Sequence, residues 1–344
     1  MFEMGYLLAP RHYSAMTLTN RISVALSEDA RRCVVFLGSQ EGPSGTARIR
    51  PTGTGFFIRG GNLLGGGSYL VTARHIAEQL DPPFVIRLNR KGGGADVREI
   101  ARPGDIEWQF HDDDTVDLAV AALDAPDWAN VAHISADHFA RTEKMYEKNI
   151  GAGDPAYVVG LFHYLHGKEE NRPVVFSGNV ALLPENEPIP VNGKYVNGYL
   201  VQANAISGCS GAPVFVGRTI PITVQDQKSP VLQGWVQGSI WLLGVWQSSW
   251  KVRGAEIVTA GNDAQAGDRA PLGMGVVVPV DRLLEILNKP DLRRARMEAA
   301  KQHPSNVSAT NDSLSPTKGE ENPSHQEDFT ALLSVAVKKK PQAD

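Results

Sequence analysis

A serine set in the turn Gly208-Cys209-Ser210-Gly211-Ala212-Pro213 is the residue of this chain best placed to do chemistry. Glycine takes backbone conformations that a Cβ resists. A turn flanked by Gly208 and Gly211 can therefore aim one hydroxyl and two backbone N–H groups at a single point. Acyl transfer requires that combination, a nucleophile with an oxyanion hole beside it. The same residue types also close β-hairpins, so the turn alone leaves both readings open. A serine hydroxyl needs a base to attack a carbonyl at neutral pH, and histidine suits the task because its pKa lies near 6.5. Of nine histidines, His75 has the most informative context: it follows the apolar run Tyr69-Leu70-Val71-Thr72 and opens a short helical stretch. The base in turn needs an orienting carboxylate. Asp117 stands at the mouth of the apolar run 118–123, whereas Asp112, Asp113 and Asp114 lie in a polar loop and read as solvated. The plain alternative for Asp117 is a turn-forming or capping aspartate.

The elements that must position these residues are short. Apolar, β-branched runs occur at 33–37, 54–58, 69–72, 84–88, 118–123, 156–160, 174–176, 199–202, 213–216, 242–246 and 275–280, separated by scattered glycine and proline. Runs of that length bounded by turn residues read as strands, and their succession predicts an all-β sandwich or barrel rather than alternating β–α units. Glycine clusters at 60–61, 65–67 and 92–94 predict hairpin loops. Helical signal is sparse. Residues 73–80 suit one or two turns. A better helix runs from Asp281 as N-cap through the stripe Leu283, Leu284 and Leu287, with Pro290 ending it. From 304 to 327 the chain is rich in Ser, Asn, Pro, Glu and Lys and reads as disordered. An apolar patch at 329–337 then precedes Lys338-Lys339-Lys340, either as a fraying tail or as a segment that docks on a protein partner.

Composition narrows the function classes. The chain has 344 residues with 42% hydrophobic content, enough for a sizeable core. A formal net charge of −4 gives no footprint for nucleic acid or an anionic membrane surface. No run approaches a membrane-spanning length, and 1–15 lacks the basic start and clean apolar stretch of a signal peptide. Two cysteines cannot build a disulfide framework, so a cytoplasmic location is expected.

Three segments in order, Val71-Thr72-Ala73-Arg74-His75-Ile76, Val116-Asp117-Leu118-Ala119-Val120 and Gly208-Cys209-Ser210-Gly211-Ala212-Pro213, resemble the trypsin-like (chymotrypsin-fold) serine peptidases, and most of all the bacterial HtrA/Deg-like branch without its PDZ domain. Gly53-Thr54-Gly55-Phe56-Phe57-Ile58 resembles the strand before the histidine, and Gly273-Met274-Gly275-Val276-Val277-Val278-Pro279 the last barrel strand. The resemblance covers about 31–287. It implies two six-stranded antiparallel β-barrels, about 29–145 and 146–289, with an N-terminal arm (1–28), a short C-terminal helix and a flexible tail (290–344). It also implies a serine endopeptidase: Ser210 as nucleophile, His75 as base, Asp117 as its orienting partner, and the N–H groups of Gly208 and Ser210 as the oxyanion hole. The substrate would be a protein or peptide, with no metal and no cofactor. The base of the specificity pocket is expected near Asn204, its walls near Gln247, Ser248 and Ser249, with Gly273 lining it. No acidic residue stands at that base, so a modest uncharged side chain is expected there. The segments 170–197 and 218–238 match nothing in the family. Cys209 and Arg74 stand where other residues are common.

Other candidates are weaker. Cys209 lies one residue off the nucleophile position and reads as a small buried support for the turn. Cys33 reads as core. His163 and His166 are too few for a zinc site without thiolate or carboxylate help. Trp241, Trp246 and Trp250 read as barrel packing. The alternative to a peptidase is a non-catalytic scaffold on the same fold that binds a partner through its cleft or tail.

Overall fold

The structure is a computed structural model that describes residues 26–42, 47–184, 188–191, 193–205, 208–225, 230–253 and 269–302. The 1–25 portion of the expected arm and the expected disordered tail beyond 302, with its apolar patch at 329–337, lie outside these residues.

The N-terminal half holds α1 (Glu28–Arg32), β1 (Val34–Gln40), β2 (Ile49–Arg59), α2 (Gly61–Leu64), β3 (Ser68–Thr72), α3 (Arg74–Ala77), β4 (Phe84–Asn89), β5 (Ala95–Ile100), β6 (Gln109–Phe110), β7 (Ala119–Ala122), β8 (Ile134–Ser135) and α4 (Thr142–Lys148). The C-terminal half holds β9 (Pro155–Gly160), β10 (Val174–Leu182), β11 (Ile189–Val191), β12 (Lys194–Val196), β13 (Tyr199–Gln202), β14 (Pro213–Gln225), β15 (Pro230–Arg253), β16 (Arg269–Pro279), α5 (Val280–Leu287) and α6 (Pro290–Gln302). Each of the eleven apolar runs overlaps a strand.

The C-terminal half closes as a six-stranded barrel in the order β10-β13-β16-β15-β14-β9. The N-terminal half departs from the expected second barrel. It is an eight-stranded sheet in the order β5-β4-β1-β2-β3-β7-β6, with β8 added in parallel to β2. The reason lies at its ends: β6 is two residues long and pairs only with β7, β5 pairs only with β4, and no pairing joins the two among the described residues.

Period-two alternation explains why the central strands are apolar on both faces. Val34, Phe36, Phe56, Ile58, Tyr69 and Val71 face one core cluster, shared with Val159, Leu242, Val278 and the C-terminal helix. Their neighbours Val35, Leu37, Phe57 and Leu70 face a second cluster with Ile76, Ile86 and Leu88. A third cluster fills the closed barrel around Tyr199, Leu243 and Trp246. The shared cluster joins the two halves, and the cleft described below lies along their junction.

Local details differ from the sequence reading in two places. Asp281 sits in the first turn of α5 rather than at its N-cap, which is Pro279; its carboxylate accepts from the Thr142 N–H (3.2 Å) and hydroxyl (2.8 Å). Residues 61–64 form a helical turn closed by Gly65 in the left-handed conformation, not a plain hairpin loop. Pro290 ends α5 as expected, but the flexible tail expected from 290 is helical over 290–302: Pro290 opens α6, where its missing N–H has no intrahelical bond to make.

His133 is half-buried against Phe57, ring centroids 5.5 Å apart, with Nε2 3.1 Å from the Ser68 hydroxyl. That hydroxyl donates to the Leu123 carbonyl, so the imidazole Nε2–H is the donor of the pair. Burial, reinforced by the Arg59 charge, pushes its pKa down to about 4. Between that value and the ordinary 6.5 the unfolded chain binds the extra proton. Stability therefore stays whole above pH 6.5 and falls as pH drops toward 4, by about 3 kcal/mol in all. Urea midpoints measured from pH 7.5 to 4.5 should follow that slope, and His133→Gln should flatten it.

Candidate active site

The histidine and aspartate are brought together by strand register. Thr72, at the end of β3, pairs with Ala119, at the start of β7. His75 lies just past that pair on one chain and Asp117 just before it on the other. The Asp117 carboxylate is used twice by the same residue: Oδ1 accepts the His75 backbone N–H at 2.9 Å, and Oδ2 lies 2.6 Å from His75 Nδ1. With Nδ1–H committed to the carboxylate, Nε2 carries the free lone pair, the tautomer a general base needs. The Asp117 side chain is 13% exposed and that of His75 40%, so the carboxylate is sheltered while the ring reaches solvent.

The loop that delivers Asp117 is braced from two directions. Internally, Asp113 accepts from the Thr115 N–H (2.9 Å) and hydroxyl (2.6 Å). Externally, His111 Nε2 meets Glu285 at 2.5 Å, and Asp112 pairs with Lys289 at 2.5 Å. Glu285 belongs to α5, and Lys289 lies just beyond it. The His111 hydrogen bond holds the Glu285 carboxyl below its ordinary range against the opposing effect of its burial, and the Lys289 ammonium does the same for Asp112. Of the three aspartates taken as solvated, Asp114 alone has its side chain uncommitted among the described residues, and it lines the cleft.

The serine turn is fixed through Thr54 of β2. The Thr54 N–H donates to the Ser210 carbonyl (3.0 Å), its hydroxyl donates to the Gly208 carbonyl (2.7 Å), and that same hydroxyl accepts from the Leu161 N–H (2.9 Å). Its carbonyl accepts from the Thr72 hydroxyl (2.7 Å) at the end of the histidine strand. Gly211, at φ +83°, makes that approach possible. A Cβ there would lie 2.2 Å from the Thr54 carbonyl oxygen and 2.3 Å from the Thr72 hydroxyl. Gly208 is also left-handed, at φ +102°. The Cys209 carbonyl accepts from the Ala212 N–H (2.8 Å), so the Ser210 N–H, anti across the same peptide plane, points the other way. The N–H groups of Gly208 and Ser210 have no acceptor among the described residues, as an oxyanion hole requires. Cys209 is fully buried, with its thiol 3.5 Å from the Leu161 carbonyl, consistent with a packing role.

The Ser210 hydroxyl donates to the Gln247 carbonyl at 3.2 Å, and no hydrogen bond joins it to His75 among the described residues. Gln247 is the extra residue of a β-bulge, since Trp246 opposes Val277 and Ser248 opposes Val276. The bulge turns the Gln247 carbonyl toward the serine.

A cleft of about 440 Å³ runs past these groups, lined among others by His75, Asp117, Gln247 and Ser248. Its third wall is the β11–β12 hairpin, which contributes Val191, Lys194 and Val196. The hairpin lies in the segment that resembled nothing known. Its signal is nevertheless present: an Asn-Gly pair at 192–193 between two short runs, Ile189-Pro190-Val191 and Lys194-Tyr195-Val196, that hold β-branched residues. Ile189 and Val196 anchor it on Val276, Leu200 and Trp250. Of the remaining expected pocket residues, Asn204 lies against Gly273, where a Cβ would stand 2.6 Å from its side-chain oxygen. Ser249 donates to the Ala205 carbonyl at 2.7 Å. None of these three lines the cleft. Arg74 does line it, with its guanidinium 2.7 Å from Glu78 and 5.0 Å over the Phe110 ring. His163 and His166 lie in an exposed loop, His166 Nδ1 being 3.3 Å from the His163 carbonyl.

No protein-family profile matches the chain, and no curated protein does. Similar solved structures include the MamO protease domain from Magnetospirillum magneticum, 15% identical over 76% of this chain and 98% of that one, with a TM-score of 0.43. Others are the HtrA-type protease AlgW with a decapeptide (15% identity, 78% and 66% coverage, TM-score 0.41) and Deg5 (16%, 75% and 88%, 0.40). At TM-scores below 0.5 these likenesses decide nothing. What the site can do rests on its own geometry.

Removing the Thr54 hydroxyl tests whether it ties the site together. Thr54→Val keeps the shape but leaves the buried Gly208 carbonyl and Leu161 N–H without a partner. It should cost roughly 2–4 kcal/mol, read as a lower urea midpoint. Gly211→Ala should cost at least as much, through both its φ and its contacts.

Proposed function

We propose that this chain is a serine endopeptidase, and that its N-terminal sheet serves as the counterpart of the first trypsin-like barrel. The observation that carries the reading is the doubly engaged Asp117–His75 pair in a cleft whose Gln247 wall holds the Ser210 hydroxyl, beside two N–H groups with no acceptor among the described residues. In the proposed reaction Ser210 Oγ leaves the Gln247 carbonyl by a χ1 rotation and donates its proton to His75 Nε2 as it attacks the scissile carbonyl carbon. The resulting oxyanion is held by the Gly208 and Ser210 N–H groups. The imidazolium, stabilised by Asp117, passes the proton to the leaving amine, and water repeats the sequence to release the acid. Catalytic hydrogen bonds are often long or misaligned before substrate binds, so the resting position of the hydroxyl is compatible with this route.

The edge of β15 beyond Val245 supports a peptide substrate. The Trp246 backbone is occupied by Gly211 and Ala212, but past it β15 pairs only with β16 among the described residues. An extended peptide can add to the free edge at Ser248. The uncharged Asn204 at the expected base of the pocket supports a preference for a modest, uncharged side chain beside the scissile bond.

A fluorophosphonate probe should label the wild-type protein at Ser210 and leave Ser210→Ala unlabelled. Asp117→Asn should lower kcat by about 10⁴-fold. Folded wild type that takes no label under any condition would sink the peptidase reading. One observation favours the runner-up, a cleft that binds without cutting: the serine hydroxyl is bonded to Gln247 rather than to His75. On that reading peptides bind equally to wild type and Ser210→Ala, and neither is labelled.

A further inference from the structure

The cleft walls carry charges that the proposed triad does not use. Of the ionisable groups along the cleft, Arg74 is neutralised by Glu78 at 2.7 Å, and the Asp117 carboxylate is committed to the His75 ring at 2.6 Å. Lys194 on the β11–β12 hairpin and Asp114 on the aspartate loop remain. Both are exposed, both line the cleft, and neither makes an ion pair or side-chain hydrogen bond among the described residues. They sit on supported backbone. The hairpin is pinned by Ile189 and Val196 to the barrel, and the aspartate loop by Asp112 and His111 to Lys289 and Glu285. A charge held on a braced element loses less entropy on pairing than one on a free loop.

From this we infer that Lys194 and Asp114 select the charge of the bound peptide: an acidic side chain faces Lys194 and a basic side chain faces Asp114. The inference rests on the proposal that the cleft takes an extended peptide along Ser248. In such a strand successive side chains leave on opposite sides, so two different walls are met by residues of different register. Val191 and Val196 beside Lys194 supply apolar surface for the stem of a Glu side chain, and they lower the water content around the pair. The pairing remains partly solvated, so each charge is worth a modest factor that weakens as salt rises.

The test uses the full-length chain and a peptide library varied between Asp, Ala and Lys at each position, read in two ways. Wild type is scored by cleavage, and Ser210→Ala by peptide binding in fluorescence anisotropy. Wild type should prefer Asp over Ala at one position by roughly two- to fivefold, and Lys over Ala at another. Lys194→Glu should reverse the first preference and leave the second, Asp114→Lys should do the converse, and cleavage of the all-Ala peptide should change less than twofold in both. Raising salt from 50 to 500 mM should shrink the preferences. If nothing is cleaved but Ser210→Ala and its Lys194→Glu derivative bind with opposite charge preference, the peptidase reading falls and the charge assignment stands. Charge preferences unchanged by either substitution, in cleavage or in binding, overturn the assignment.

Discussion

The architecture of the site depends on one buried side chain, Thr54. It is fully inaccessible to solvent; its hydroxyl and N–H both hold the serine turn, and its carbonyl is committed to the histidine strand. The hydroxyl donates to the serine turn and accepts from the end of β9, while the carbonyl receives the hydroxyl of the histidine strand. A buried polar network of this kind is stabilising only when every member is satisfied, and it is then rigid. Ser210 and His75 therefore come from different sheets, yet their separation is set by hydrogen bonds rather than by loop packing. Gly211 completes the arrangement by leaving room where any side chain would press on Thr54 and Thr72.

Beyond that core, positions are set by register and by bracing. Pairing of Thr72 with Ala119 places His75 opposite Asp117, and the double use of the carboxylate fixes both ring orientation and tautomer. The bulge at Gln247 turns one carbonyl onto the serine and leaves the following strand edge open. Serine held on a backbone acceptor and histidine held on a carboxylate give a resting arrangement in which each partner is oriented but the two are not joined.

Much of this was legible in the sequence, for physical reasons that can be named. Strands such as 54–58 and 69–72 are buried on both faces and so read as unbroken apolar runs. Gly208 and Gly211 mark left-handed backbone because no other residue fits there. The elements that escaped notice lacked such signals. Strand β5 alternates weakly across a half-exposed edge, β6 and β8 are two residues each, and β11 and β12 are three. The Asn-Gly at 192–193 could have revealed that hairpin, but its role as a cleft wall follows only from its packing on Val276 and Trp250. The expected second barrel failed because barrel closure depends on the lengths of edge strands, which local sequence specifies poorly. The role of Thr54 was equally hidden. A threonine inside an apolar run reads as a β-former, and only three-dimensional proximity to 161 and 208 gives it its partners.

The brace between the aspartate loop and α5 has a consequence for how the molecule comes into being. His111 and Asp112 are made early in synthesis, while Glu285 and Lys289 follow 174 and 177 residues later. Chains are built from the N-terminus, and domains fold as their parts emerge. A nascent chain with its first sheet already formed still lacks the contacts that hold the Asp117 loop in place. The last segment of the fold thus acts as a timer, and the finished geometry arrives only when nearly the whole domain has left the ribosome.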